Sequence, residues 1–107
     1  MSAITTHVLD TAAGRPAAGI PVLLEHLTPQ GWQPIGRGVT DADGRLRTLL
    51  PDDCTLAAGE YRIIFDTHEH SAFFPSVSVQ VAIQDPAGHY HVPLLLSPFG
   101  YSTYRGS

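Results

Sequence analysis

Turn-forming residues divide this sequence into runs that are too short for ordinary helices. Its 107 residues include ten glycines and nine prolines, spread along the whole chain. The runs between them are rich in β-branched and aromatic residues and recur at intervals of roughly 8–12 residues, as in β-sandwiches. The sequence therefore predicts an all-β, two-sheet antiparallel β-sandwich with seven or eight strands. The predicted strands span residues 4–10, 20–27, 33–40, 45–50, 59–67, 76–83, 89–97 and 100–104.

Two segments qualify this pattern. Residues 67–74, with the sequence THEHSAFF, are the one place where a helical turn or two is expected, so the fold contains at most one short helix. Pro93 lies inside the strand predicted at 89–97 and has no N–H to donate. That strand is therefore expected at a sheet edge, or with its proline at a non-donating position.

The length and composition predict a single domain over residues 1–107. Apolar residues make up 43% of the chain and charged residues 15%, which is typical of a compact globular protein. The small charged share also predicts self-association, because much of the surface would otherwise lack charge. One cysteine, Cys54, excludes an internal disulfide and is expected to be an ordinary loop or core thiol.

Charge and hydropathy exclude several classes of partner. The net charge is −4 and there is no basic run, so nucleic acid and anionic membranes are not expected to bind. No stretch approaches the 18 or so apolar residues of a membrane span, and the N-terminus does not resemble a signal peptide. A cytoplasmic location is expected. All six basic residues are arginines, which excludes Schiff-base chemistry on a lysine.

Six histidines are the main candidates for chemistry. Side chains alternate across a strand, so His7 shares a face with Thr5 and Leu9, and His89 shares a face with His91. Each His-x-His pair, His89 with His91 and His68 with His70, is also half of a metal site, which a third or fourth ligand would complete. Exposed strand histidines without a ligand role are the competing interpretation.

Other reaction types have less support. No G-x-S-x-G elbow, dinucleotide fingerprint or phosphate-binding lysine motif occurs. Arg45 directly follows the turn DADG (41–44), where it is either a solvated strand end or a clamp for an anion or carbonyl group.

The C-terminal stretch HYHVPLLLSPFGYSTYRGS (89–107) resembles the signature of the 5-hydroxyisourate hydrolases, which are transthyretin-related proteins. TTHVLD with AAGRPAAGIPV (5–22), GVTDADGR (38–45) and AGEYRIIFDT (58–67) resemble the other motifs of that family. Transthyretin itself, the hormone carrier, lacks the histidines and the YRGS ending. One departure is the segment HEHSA (68–72), which is about half the length of the helix-bearing segment of the family.

The resemblance implies a fold, an assembly and a reaction. It implies a transthyretin-like sandwich that forms a homotetramer, a dimer of dimers, with its sites in a channel where C-terminal tails meet. It implies hydrolysis of 5-hydroxyisourate to 2-oxo-4-hydroxy-4-carboxy-5-ureidoimidazoline, with no metal and no cofactor, by histidine-activated water. The implied catalytic residues are His7, Arg45, His91 and Ser107, and the implied substrate-binding residues are Tyr104, Arg105 and Gly106. A carrier with an apolar channel and a structural β-sandwich remain the alternatives.

Overall fold

The computed structural model describes residues 3–106, which form two β-sheets packed face to face. In these residues the chain forms nine strands: β1 (Ile4–Asp10), β2 (Arg15–Pro16), β3 (Pro21–Thr28), β4 (Gly31–Val39), β5 (Arg45–Leu46), β6 (Gly59–Asp66), β7 (Ser76–Ile83), β8 (Tyr90–Ser97) and β9 (Gly100–Thr103). One sheet has the order β2-β1-β8-β9, with β5 also paired to β1, and the other has the order β4-β3-β6-β7. The predicted two-sheet sandwich is confirmed.

The predicted number of strands was wrong, because two of the nine strands have only two residues each. β2 lies between the strands predicted at 4–10 and 20–27, where no strand was predicted. The strand predicted at 45–50 ends at Leu46, after which the chain leaves β1. Leu49 and Leu50 are nevertheless both buried, although they are adjacent and a continuing strand would direct them to opposite faces.

The antiparallel prediction holds for every strand pair in the described residues except one. β1 and β8 run parallel, with Thr5 opposite His91 and His7 opposite Pro93. The Thr6 hydroxyl donates to the Val92 carbonyl at 2.6 Å across this pair. The parallel pair matters for function, because it aligns the start of the chain with its last long strand.

Residues 67–75 connect β6 to β7 without a helix. The Thr67 carbonyl accepts hydrogen bonds from the backbone N–H groups of His70 and Ser71, both at 2.9 Å, which makes a single turn. The Ser71 hydroxyl then donates to the Pro98 carbonyl at 2.7 Å and fixes this turn to the loop before β9. Across residues 3–106 there is no helix long and apolar enough to cross a membrane.

The core lies between the inner faces of the two sheets. Strand alternation directs Ile4, Val8 and Leu94 inward, where they are completely buried, while His7 and His91 point outward. Fully burying an aliphatic side chain of this size contributes about 1.5–3 kcal/mol. Because the core fixes which face of β1 and β8 points inward, it also fixes which side chains the outer face presents.

Candidate active site

A polar cleft of about 400 Å³ opens on the outer face of the sheet that contains β1 and β8. Its lining brings together residues that are far apart in the sequence: Thr5, Thr6, His7, Leu9, Arg45, Arg47, His89, His91, Pro93, Tyr104 and Gly106. Five of the seven predicted site residues are in this set, namely His7, Arg45, His91, Tyr104 and Gly106.

The turn DADG positions Arg45 against β1. The Asp41 carboxylate accepts hydrogen bonds from the backbone N–H groups of Asp43 and Arg45, at 2.9 and 3.0 Å. These donors stabilise the charged carboxylate, and the bond from Arg45 contributes most to lowering the pKa of Asp41. Gly44 closes the turn with φ of 74°, and a Cβ there would lie 2.4 Å from the Val8 carbonyl oxygen. Only glycine allows the turn to pack this closely against β1. This packing places Arg45 beside His7.

His7 has one of its two ring nitrogens fixed by the same turn. Its Nε2 lies 2.9 Å from the backbone carbonyl oxygen of Asp43. A carbonyl oxygen only accepts hydrogen bonds, so Nε2 carries a proton. In the neutral ring the lone pair is then on Nδ1. Arg45 is the antiparallel partner of His7 between β5 and β1, which keeps the guanidinium and the imidazole at the same cleft.

His91 is the partly buried imidazole of the cleft. Its Nδ1 lies 2.8 Å from the Thr5 hydroxyl oxygen. Burial is the main cause that lowers its pKa below the ordinary value, followed by the charges of Arg45, His7 and His89. His91 is therefore neutral at pH 7 and has a ring nitrogen with a free lone pair.

The C-terminal tail closes one side of the cleft by continuing the line of β9. β9 ends at Thr103, next to the position where Pro93 of β8 offers no donor. The pairing then resumes in the same register, since the Gly106 N–H donates to the His91 carbonyl at 2.8 Å. β8 lies between β1 and β9, so the second of the two expectations for Pro93 is correct.

Gly106 lies too close to the His91 ring for any other residue. A Cβ at this position would lie 2.7 Å from His91 Cδ2. We expect Gly106→Ala to displace the imidazole and to lower turnover at this cleft by up to roughly 100-fold, the order of loss for about 1 Å of misplacement at a reacting centre. The matched control is Gly100→Ala, whose Cβ would make an ordinary 3.5 Å contact with Ser97. Steady-state kinetics of both variants test this, and equal activities would contradict it.

Of the remaining two predicted site residues, the structure describes Arg105. Arg105 does not line the cleft, because its guanidinium lies 4.6 Å from the centre of the Tyr90 ring on the other face of the sheet. This cation–π contact fixes the tail from the opposite side. Ser107 lies outside the described residues.

Sequence reasoning did not single out Thr5 or Arg47, and it placed His89 on the same face as His91 without including it in the predicted catalytic or substrate-binding set. Thr5 had no distinguishing signal, because only the β1–β8 register brings it to His91. Arg47 lies at the rim with an exposed side chain, 3.7 Å from the Asp41 carboxylate. The alternation of the predicted strand 45–50 places it on the same face as Arg45.

The two His-x-His pairs have different surroundings. His89 and His91 both approach the Thr5 hydroxyl, at 3.5 and 2.8 Å. His68 contacts Asp66, whereas His70 bonds Asp10 at 2.8 Å. Within the part of the chain that the structure describes, no three His, Cys, Asp or Glu side chains are grouped as metal ligands.

The fold and this site define a transthyretin-like β-sandwich whose outer sheet face carries a polar cleft with three imidazoles and two guanidinium groups. Residues 4–106 match the model of the HIUase/Transthyretin family. The chain belongs to this family.

Relatives from two branches of the family, the 5-hydroxyisourate hydrolases and the transthyretins, are similar to the chain. It is 44% identical over 110 residues to the 5-hydroxyisourate hydrolase of Salmonella typhimurium, covering 97% of this chain and 80% of that protein. The structure of Klebsiella pneumoniae 5-hydroxyisourate hydrolase matches with a TM-score of 0.81 and 33% identity, over 97% of this chain and 98% of that one. Sea bream transthyretin in complex with thyroxine matches with a TM-score of 0.86 and 32% identity, over 98% and 95%. Backbone similarity alone does not separate the two branches, whereas the polar cleft and the sequence identity place this chain among the hydrolases.

Proposed function

We propose that the protein hydrolyses 5-hydroxyisourate to 2-oxo-4-hydroxy-4-carboxy-5-ureidoimidazoline, a step of urate degradation. The observation that carries this proposal is the shared cleft, in which a neutral imidazole, His91, lies with the guanidinium of Arg45 and the imidazole of His7. The curated relatives named 5-hydroxyisourate hydrolase support the choice of substrate.

The reaction needs a deprotonated water and a stabilised oxyanion. His91 takes a proton from water as the water oxygen attacks the carbonyl carbon of the ring amide. Arg45 binds the carbonyl oxygen as negative charge develops on it, an interaction that strengthens where water is excluded. The imidazolium of His91 then returns its proton to the ring nitrogen as the carbon–nitrogen bond breaks. The products are a carboxylic acid and the ureido N–H, so the atoms balance without a metal or cofactor.

The other cleft residues orient the two reactants in this scheme. The free Nδ1 of His7 accepts a hydrogen bond from the water or from a ring N–H of the substrate. Tyr104 and Gly106 form the wall against which the flat ring lies. The family resemblance implies a catalytic role for Ser107 and substrate binding by Arg105, whereas the contact of Arg105 with Tyr90 supports a role in holding the tail.

A carrier function is the second candidate, since the fold is equally that of transthyretin. A carrier of an apolar hormone needs a largely apolar channel. The cleft instead presents histidine, arginine, threonine and tyrosine side chains. This lining favours catalysis on a polar ring over storage of an apolar ligand.

We also infer a homotetramer, a dimer of dimers, that acts in the cytoplasm. Two aromatic side chains near the β8–β9 turn support self-association, since Phe73 and Phe99 are 67% and 82% exposed. Exposed aromatic groups of this size commonly mark an interface between proteins. The family resemblance implies a further interface where C-terminal tails meet, which would complete the open side of the cleft.

The direct test generates 5-hydroxyisourate in the cuvette from urate and urate oxidase and follows its ultraviolet absorbance. We expect the absorbance of the intermediate to decay faster in proportion to the concentration of this protein. Decay at the spontaneous rate in the presence of the folded protein would exclude the hydrolase function and leave the carrier function.

The pH profile of the reaction should reflect the lowered pKa of His91. A general base must be unprotonated, so kcat/KM falls as the pH drops through the pKa of His91 in the free enzyme. Because that pKa is lowered, we expect the half-maximal point of this decline to lie below about pH 6.5, the ordinary imidazole value. Initial rates on preformed substrate measure this profile, and a half-maximal point above about pH 6.5 would contradict the role of His91.

A further inference from the structure

The Thr5 hydroxyl lies between two imidazoles behind the cleft. Its oxygen is 2.8 Å from Nδ1 of His91 and 3.5 Å from Nε2 of His89. Thr5 is only 4% exposed and is opposite His91 in the parallel β1–β8 pair. The hydroxyl is therefore held by the sheet and does not depend on a mobile side chain.

One hydroxyl has one proton, which limits how the three groups can bond. If Thr5 donates to Nδ1 of His91, the proton of the neutral His91 ring is on Nε2. If Thr5 instead accepts from Nδ1–H of His91, its own proton is directed to His89, and Nε2 of His91 keeps its lone pair. Only the second arrangement gives His91 a basic nitrogen on the Nε2 side of the ring, where Cδ2 faces Gly106.

We propose that Thr5 is a positioning residue that accepts the Nδ1 proton of His91, orients the ring and keeps the Nε2 lone pair directed into the cleft. This inference rests on the proposed hydrolase function and deepens it. His89 has the secondary role of accepting the hydroxyl proton of Thr5. Thr5 does not contact substrate in this arrangement.

The charges around His91 make such a fixed acceptor useful. Arg45 on β5, His7 on β1 and His89 before β8 all disfavour the imidazolium form of His91, whereas a hydrogen bond to the backbone of Thr5 favours it. A hydroxyl oxygen that accepts from Nδ1–H at 2.8 Å would favour the imidazolium further. An imidazole that must take up a proton during the reaction needs a partner that tolerates its positive charge. The hydroxyl oxygen of Thr5 accepts from Nδ1–H both before and after that proton transfer.

The first test compares Thr5→Val with Thr5→Ser. Valine keeps the shape and the β-branching of threonine without the hydroxyl, and we expect kcat to fall roughly 10- to 100-fold with KM nearly unchanged, as for a misplaced catalytic group. The acid limb of the pH profile should also move to lower pH, because the favourable contact with the imidazolium is lost. Thr5→Ser should restore both the rate and the profile.

A matched control is Thr11→Val, which removes a hydroxyl that bonds the Leu96 carbonyl of the same β8 strand at 3.1 Å. It should leave the pH profile in place. Equal losses in Thr5→Val and Thr5→Ser, or an unchanged profile in Thr5→Val, would overturn the proposal.

A second measurement uses the wild-type protein and does not depend on enzymatic activity. In the ¹⁵N-labelled wild-type protein at neutral pH, side-chain ¹⁵N shifts should show His91 protonated at Nδ1 and unprotonated at Nε2. The opposite tautomer would overturn the proposal. If the wild-type protein does not hydrolyse 5-hydroxyisourate, the proposed function fails, whereas the tautomer of His91 still decides the role of Thr5.

Discussion

Replacing His91 with asparagine should lower kcat for 5-hydroxyisourate about 10²- to 10⁴-fold, the usual contribution of a general base. Asparagine can keep an N–H near the position of Nδ1 and so retain the bond to Thr5, but it has no group that can take a proton at pH 7. The backbone carbonyl at position 91 still accepts from Gly106, so the tail should stay in place. We therefore expect the melting temperature to change little while turnover is nearly lost.

A matched control for this variant is His68→Asn. His68 is an exposed imidazole in the turn after β6, contacts Asp66, and does not line the cleft. The His68→Asn variant should turn over substrate at the wild-type rate. Stopped-flow decay of preformed 5-hydroxyisourate, with thermal unfolding of each variant alongside, makes the comparison. Wild-type turnover by folded His91→Asn would remove His91 from the mechanism.

The strands with regular alternation could be predicted from the sequence. SVSVQVAI was predicted as residues 76–83 and forms β7 with those bounds, because its valines alternate with serine and glutamine. RLRTLL alternates only over its first three residues and pairs with β1 over two residues. Its later leucines are buried in a loop, where the Leu49 carbonyl packs against Gly36 of β4. The burial of these leucines is what their residue type indicates. Sheet hydrogen bonding depends instead on a partner strand that is distant in sequence.

The site shows the same division between local and distant information. The turn around Asp41 and Gly44 can be predicted from the sequence, because its carboxylate and its positive-φ glycine are local requirements. The role proposed for Thr5 could not be predicted, since threonine in a strand is common and His91 is 86 residues away. The parallel pairing of β1 with β8 joins them, and the sequence pattern had predicted antiparallel pairs.

Arg105 shows a third limit of sequence reasoning. The family resemblance implies substrate binding by Tyr104, Arg105 and Gly106. In the structure Tyr104 lines the cleft, and Arg105 contacts Tyr90 on the opposite face. A contiguous motif thus supplies both a wall residue and a group that fixes the wall. Which residue has which part depends on the face of the strand, and therefore on the register with β8.

Replacing Arg45 with glutamine should lower kcat about 10²- to 10³-fold, as for other groups that stabilise a developing oxyanion. The turn should survive, because Asp41 bonds the backbone N–H of residue 45 and not its side chain. Arg45→Lys should restore little activity, since an ammonium group cannot make the two parallel bonds of a guanidinium. Steady-state kinetics on preformed substrate measure both variants.

Arg47→Gln provides the matched control for this prediction, because Arg47 lines the same cleft at its exposed rim. Its loss should change kcat only a few-fold, as expected for a solvated charge. The pH profile separates the two arginines further. The Arg45 charge lowers the pKa of His91, so Arg45→Gln should raise that pKa and move the acid limb of kcat/KM to higher pH. If both variants lose activity equally and neither moves the acid limb, the cleft attracts substrate by its overall charge, and Arg45 has no specific part in the reaction.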